Sequence, residues 1–156
     1  MTSGSARRAT TRESSQTWES LFRTQVELLR RFRHDDVWHE VSLEEYDVLY
    51  TLASSPDHSA RIRDLHDRSL LSQPSLSRLV ERLEVSGLVR RGPVEGDRRG
   101  VAVTLTDEGL RLQRLVGGRH ARSIDAVVGE ALDADELASL RSLLDRLRAR
   151  ARGAPL

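Results

Sequence analysis

The sequence contains no cysteine and no lysine, and aromatic residues make up 4% of its 156 residues. The absence of cysteine excludes disulfides, thiolate metal sites and cysteine-based redox sensing. No apolar run approaches the roughly 20 residues that a membrane-spanning helix needs. The first fifteen residues, MTSGSARRATTRESS, have no apolar segment typical of a secretory signal. We therefore expect a cytoplasmic protein without membrane contacts.

The charges are nearly balanced overall but unevenly distributed along the chain. The formal net charge of +1 gives no bulk attraction to nucleic acid. Residues 38–59 contain five acids and no arginine, whereas residues 60–100 contain nine arginines and six acids. Arginine offers planar, bidentate donors that suit phosphates and guanine edges. A hydrophobic share of 38% with 31% charged residues indicates an elongated or oligomeric helical protein.

Apolar residues spaced three and four apart predict most of the chain to be helical. The Ser/Thr/Arg-rich residues 1–14 are expected to form a disordered tail. The sequences SLEE at 42–45 and TDEG at 106–109 are typical helix starts. Helices are predicted at about 15–35, from 42 to the SSPDHS segment, and at 60–68, 73–86, 107–129 and 133–150.

Two short segments, LVRR and VAVTL, alternate apolar and polar residues as half-buried strands do. The intervening GPVEGDRRG is predicted to be a hairpin loop longer than the common kind. The predicted order is therefore H-H-H-H-E-E-H-H. This order indicates a mainly α fold in which a winged helix-turn-helix unit, residues 42–106, is flanked by long helices.

Helices 60–68 and 73–86 fit a DNA reader whose second helix lies in the major groove. An apolar stripe in the second helix is expected to face inward, and it consists of Leu76, Leu79, Val80 and Leu83. The alternative is a plain helical hairpin with a solvated Ser/Arg face, and the strands that follow disfavour it.

Four arginines mark the predicted hairpin. Arg90 and Arg91 stand on its first strand, and Arg98 and Arg99 stand at its tip. Arginine at a hairpin tip can enter a narrow minor groove, where the negative potential favours it. Asp97 is placed to orient the Arg99 guanidinium by a hydrogen-bonded pair. The alternative is a solvated turn.

The stretch LSQPSLSRLVERLEVSGLVRRGPVEGDRRGVAVTLTDEG resembles the MarR (multiple-antibiotic-resistance regulator) family of bacterial transcription factors. The resemblance rests on matches at Leu83, Glu84, Gly87-Leu88-Val89, Asp97-Arg98-Arg99 in a D-x-R wing position, Leu105-Thr106 and Gly109-Leu110. It implies a winged helix-turn-helix homodimer that binds a palindromic operator and responds to a ligand, most often as a repressor. The DNA-binding positions it implies, together with the two strand arginines, are Ser72, Gln73, Pro74, Ser75, Ser77, Arg78, Arg82, Arg90, Arg91, Asp97, Arg98 and Arg99.

In this family the first and last helices of both subunits intertwine, which assigns dimerisation to residues 15–35 and 107–150. The alternative for their apolar stripes is an ordinary intramolecular core. Family members often bind phenolic or anionic effectors in a crevice between the dimer helices and the winged unit. Candidate lining residues, which could equally be core aromatics, are Phe22, Trp38, His39, Tyr46 and Tyr50.

Other classes of function receive little support from the sequence. The segment HDDVWH at 34–39 is interpreted as a solvated helix end, so no metal site is expected. The glycines near the hairpin lack the pattern of a phosphate-binding loop, and we expect neither an enzyme nor a cofactor. The remaining alternative is a protein–protein interaction module that uses a winged-helix scaffold without specific DNA binding.

Overall fold

The computed structural model describes residues 7–69, 71–94 and 96–153 and shows a mostly helical chain with a three-stranded antiparallel sheet. The strands are β1 (Ser59–Arg61), β2 (Val89–Val94) and β3 (Asp97–Leu105). The helices are α1 (Thr11–Arg33), α2 (Leu43–Ala53), α3 (Ile62–Arg68), α4 (Gln73–Val85), α5 (Asp107–Ile124) and α6 (Ala134–Gly153), with a 3₁₀ turn at Pro56–His58 and a π turn at Asp125–Gly129.

Side-chain caps define where several helices begin. The Ser42 hydroxyl accepts from the Glu45 amide, and the Glu45 carboxylate accepts from the Ser42 amide, which confirms the predicted helix start. Thr10 and Glu13 form an equivalent capping box, so α1 begins at Thr11. The prediction that this helix begins near residue 15 and that the tail reaches residue 14 is therefore wrong for residues 11–14. This polar segment has no apolar period from which a helix start could be predicted. Residues 1–6 of the predicted tail lie outside the described residues.

Helices α2 to α5 pack around the sheet and enclose one apolar core. The predicted inward stripe of α4 is buried, with at most 3% of any of its four side chains exposed. It meets α2 residues Leu49 and Leu52 and the β3 residue Val103, which are all fully buried. The opposite face of α4, which carries Arg78, Glu81 and Arg82, is exposed, as expected for an amphipathic helix with one apolar stripe.

The sheet differs from the predicted hairpin in two respects. The strand β1 was not predicted, and it pairs antiparallel with β3 through Ser59↔Thr104 and Arg61↔Ala102. Its three residues are too few for a periodic pattern, and the predicted start of helix 60–68 was placed on it. The long loop is predicted too broadly, because β2 extends to Val94 and β3 begins at Asp97, although the register shifts between the pairs Pro93↔Val101 and Val94↔Asp97. Gly96, which precedes β3, has φ of 76°.

The two longest terminal elements lie outside this core. No residue of α6 is buried, and in α1 only Phe32 is buried. Helix α5 continues through Gly117 and Gly118 to Ile124, and the π turn follows it directly. No described helix combines the length and the apolar character needed to cross a membrane.

Candidate nucleic-acid interface

The N-terminus of α4 is capped by serines and opens toward solvent. The Ser72 hydroxyl accepts from the Ser75 amide and lies 2.9 Å from the Ser75 hydroxyl. Pro74 occupies the first turn, where its missing amide costs no hydrogen bond. Ser72, Gln73 and Pro74 are exposed. This end therefore presents small polar groups at the positive end of the helix dipole.

The outer face of α4 carries the remaining predicted contacts. Arg78 and Arg82 are exposed, and Ser75 and Ser77 are half-buried. Arg82 donates through Nε to a carboxylate oxygen of Glu45 at 3.2 Å, which ties this arginine to the first turn of α2. Among the described residues Arg78 takes part in no ion pair. Arg78 is therefore the arginine of α4 whose guanidinium is available to an external ligand.

The wing strand β2 separates its two arginines. Arg90 is exposed and has no ion pair with any residue of the described segments. Arg91 binds Glu84 near the end of α4, with Nε and Nη2 each 2.6 Å from Oε2. The Arg91 amide also donates to Oε1 of Glu84 at 2.7 Å. These bonds lower the pKa of the Glu84 carboxyl below its ordinary value, and the backbone bond contributes most.

Asp97 stabilises the far end of the wing. Its carboxylate accepts from the Gly100 amide at 3.1 Å and from Nη1 of Arg61 at 3.3 Å, so it joins β3 to the edge strand β1. The Arg61 contact was not predicted, because β1 itself was missed. Arg98 and Arg99 belong to strand β3, but their side chains lie outside the described residues. Their DNA contacts therefore stay predictions.

A crevice of about 610 Å³ lies between α2 and α5. Two of the five predicted effector-binding residues, Tyr46 and Tyr50, line it. Sequence reasoning missed the rest of its lining, which consists of Leu43, Asp47, Gln113, Arg114, Gly117, His120, Ala121 and Ile124. Burial raises the pKa of Tyr46, and burial also raises that of Asp47. The crevice thus combines apolar walls with two phenols, one arginine and one carboxyl.

The other three predicted residues do not line this crevice. Trp38 packs behind Tyr46 at 5.6 Å between ring centroids, and its indole N–H donates to the Phe32 carbonyl at 2.6 Å. Phe22 stacks on Trp18 along the solvent face of α1. His39 is exposed and lies 3.8 Å from Asp36. Aromatic composition alone could not distinguish these locations.

His120 connects the crevice to the core behind it. Its imidazole lies 4.9 Å from the Trp38 ring and 5.2 Å from the Phe32 ring, between centroids. Burial lowers the pKa of His120, and the nearby Asp35 carboxylate opposes that shift. Nδ1 of His120 and Oδ2 of Asp35 are buried without a hydrogen-bond partner among the described residues. The sequence did not point to this histidine, because its neighbours come from three other segments.

Comparison with known proteins agrees with this geometry. The family model described as MarR family matches residues 39–100, from the segment before α2 to the wing. The chain belongs to the MarR family. The HTH-type transcriptional regulator PecS of Dickeya dadantii (strain 3937) is 31% identical to it over 110 residues, which is 70% of this chain and 66% of PecS. The chain spans about two thirds or less of the curated relatives it matches.

Solved structures of MarR-family proteins resemble the chain over nearly its whole length. Sco3205 of Streptomyces coelicolor, a MarR family transcriptional regulator in complex with DNA, has 26% identity and a TM-score of 0.75. The match covers 97% of this chain and 94% of that chain. PcaV, a transcriptional regulator from the same organism in complex with its natural ligand, has 26% identity and a TM-score of 0.63 over 94% and 99% of the two chains. The MarR fold therefore includes the terminal helices of this chain as well as its winged unit.

Proposed function

We propose that this MarR-family chain is a transcriptional regulator that binds double-stranded DNA. One observation carries the proposal: the exposed face of α4, where Arg78 has no ion pair among the described residues, stands beside a wing whose Arg90 has none among them either. A helix of this kind fits the major groove, and a wing can reach the neighbouring backbone or minor groove. The DNA complex of Sco3205 supports the same use of the fold.

The active form that we propose is a homodimer held by α1, α5 and α6. In α6, Leu140, Leu143 and Leu147 are 41%, 52% and 54% exposed, although they form one apolar stripe. A monomer would leave this stripe and the Trp18 face of α1 in water, whereas a second copy would cover both. Two-fold symmetry then places two α4 helices on palindromic half-sites about 10 base pairs apart. The segment 42–106 is the proposed DNA-reading unit of each copy.

The effector that we propose is a small aromatic acid bound in the crevice between α2 and α5. Tyr46, Tyr50 and Ile124 provide surfaces for an aromatic ring, and Arg114, which has no ion pair within the described segments, provides a donor for a carboxylate. PcaV in complex with its natural ligand supports a ligand-responsive function. Since α2 belongs to the reading unit and α5 to the dimer, occupation of the crevice changes the separation of the two α4 helices.

We propose that the protein is a cytoplasmic repressor that binds DNA in the absence of its effector. Both half-sites are occupied together only when the two α4 helices have the correct separation. A ligand that binds better to another separation shifts the population away from the DNA-binding form.

Fluorescence anisotropy with DNA from upstream of the chain's own gene tests DNA binding. Arg78→Ala is expected to weaken specific binding by about 1–3 kcal/mol. Arg111→Ala is the matched control, because Arg111 lies on α5 paired with Glu108 and its removal causes the same change of net charge. Equal loss of affinity in both variants would show that net charge, and not a contact of Arg78, causes the effect. No binding by the wild type at any low salt concentration would refute the proposal.

Thermal-shift titration with a panel of phenolic acids tests the effector. A ligand of this crevice should stabilise the wild type, release labelled DNA from it, and lose both effects in Arg114→Gln. A compound that releases DNA equally from Arg114→Gln would place the effector elsewhere.

A further inference from the structure

The bond set between Glu84 and Arg91 distinguishes this pair from the other ion pairs of the reading unit. One carboxylate accepts two hydrogen bonds from one residue, from Nε of the guanidinium at 2.6 Å and from the backbone amide at 2.7 Å, and Nη2 also lies 2.6 Å from Oε2. The pair joins the last turn of α4 to strand β2. Its backbone bond holds the strand itself and not merely a side chain, so the wing cannot move away from α4 without breaking it.

Strand geometry explains why Arg91, and not Arg90, reaches α4. Arg91 stands opposite Val103, which is fully buried, whereas Arg90 stands opposite Thr104. Residues directly opposite on paired strands share a face, and neighbours along a strand occupy opposite faces. Arg91 therefore lies on the helix-facing side of the sheet with the buried Val89, and Arg90 lies on the other side.

We infer that Glu84 and Arg91 form an internal strut that positions the wing relative to the recognition helix, and that Arg90 alone supplies the DNA contact of this strand pair. Arg91 is then a positioning residue, although sequence reasoning assigned it to DNA. The inference rests on the proposed DNA-binding function. It divides two adjacent, chemically identical side chains into different roles.

The physical argument concerns simultaneous contacts. A rigid unit meets a half-site with its wing and α4 already spaced, whereas a loosely attached wing must be ordered upon binding at an entropic cost. Only Ser86–Leu88 connect α4 to β2 along the chain. A guanidinium whose Nε already donates to a carboxylate also has fewer N–H donors to offer a phosphate, and the carboxylate offsets its charge.

Removal of Glu84 tests the inference, because the strut and simple electrostatics predict opposite changes in DNA affinity. Glu84→Ala deletes a negative charge near the proposed DNA face, so electrostatics alone predicts tighter DNA binding. Loss of the strut predicts weaker binding, by about fivefold for a half-exposed pair. Glu81→Ala is the matched control, because Glu81 is exposed on the same helix and has no ion pair among the described residues. This control is expected to bind DNA as well as or better than the wild type.

The salt dependence of affinity separates the two arginines. Each phosphate contact contributes about 0.9 to the slope of log affinity against log salt concentration. Arg90→Gln should reduce the slope by about that amount, and Arg91→Gln should lower the affinity without changing the slope. The double variant Glu84→Ala/Arg91→Gln should bind DNA as tightly as the single variant with the lower affinity, because both substitutions remove the same interaction. Tighter binding by Glu84→Ala, or a reduced slope in Arg91→Gln, would overturn the inference.

Hydrogen exchange without DNA separates failure of the strut from failure of the proposed function. The amides of β3 from residue 101 to 105 should exchange faster in Glu84→Ala than in Glu81→Ala, while both variants keep the wild-type helical circular dichroism. Equal exchange in the two variants would overturn the strut whether or not the wild type binds DNA. Faster exchange together with no DNA binding by the wild type would retain the strut and refute the regulator.

Discussion

Replacement of Gly109 by alanine is expected to destabilise the protein strongly, although alanine is the better helix former. Gly109 lies in the first turn of α5, and its amide donates to the Thr106 hydroxyl at 3.0 Å. A Cβ at this position would lie 2.0 Å from the Leu88 carbonyl oxygen and 2.9 Å from Cδ1 of Leu105. A carbon–oxygen contact normally needs about 3.3 Å, so the oxygen would have to retreat by roughly 1.3 Å.

The Leu88 carbonyl has little freedom to retreat. It accepts from the Thr106 amide at 3.1 Å and from the Thr106 hydroxyl at 3.0 Å, and that hydroxyl also donates to the Gly87 carbonyl at 2.7 Å. Overpacking typically costs about 1–3 kcal/mol, and a clash with a backbone oxygen belongs at the upper end, about 3 kcal/mol. The weakened hydrogen bonds add about 1 kcal/mol. Alanine returns about 1 kcal/mol of helix propensity. We expect a net loss of about 3 kcal/mol in the free energy of unfolding.

The assay is thermal and urea denaturation of both variants at one protein concentration, because the stability of a dimer depends on concentration. The expected loss corresponds to a Tm lower by about 6–12 °C. Gly118→Ala is the control on the same helix, where an added Cβ meets nothing within 4 Å. It should gain about 0.5–1 kcal/mol. If Gly109→Ala proved as stable as Gly118→Ala, the argument from the Leu88 contact would be refuted.

Three further predictions concern the crevice, the buried histidine and the dimer. In Gly117→Ala the new Cβ would lie 3.0 Å from the Tyr46 hydroxyl, so thermal stabilisation by an aromatic acid should fall while folding persists; an unchanged ligand shift would contradict the site. The lowered pKa of His120 makes the folded chain bind its proton less readily than the unfolded chain, so stability is full above the ordinary value of about 6.5 and falls as pH drops through it. The Tm difference between the wild type and His120→Gln should therefore depend on pH between about 7 and 5. Parallel curves of Tm against pH for the two proteins would contradict a lowered pKa of His120. Leu143→Asp should convert a species of twice the 17.6 kDa chain mass into a monomer by light scattering, whereas a monomeric wild type would refute the dimer.

Features that depend on neighbours in the chain were readable in advance. The Ser42 and Thr106 caps, the Pro74 helix start and the buried stripe of α4 all involve residues within about one or two helical turns of each other. Such patterns are visible in one sequence because helix geometry alone brings positions three and four apart together. They were sufficient for the order of the helices and for the family.

Features that depend on packing between distant segments required the tertiary structure. The strand β1 exists because it pairs with β3, some forty residues later, and a three-residue strand has no detectable period. Alternation along a strand places Arg90 and Arg91 on opposite faces, and only the pairing of β2 with β3 shows which of them faces α4. His120 likewise acquires its aromatic and acidic neighbours from α1, α2 and the segment between them.

The sequence by itself thus determined the order of the helices, the Ser42 and Thr106 caps and the buried face of α4, because these follow from local spacing. Only the tertiary structure decided which arginines are free and which are bound, because a salt bridge depends on the distance between side chains that the chain order does not encode. Arg91 and Glu84 are seven residues apart along the chain but meet across the turn from α4 to β2. The side of the sheet on which each residue lies was decided by burial of Val89 and Val103, which required the whole core.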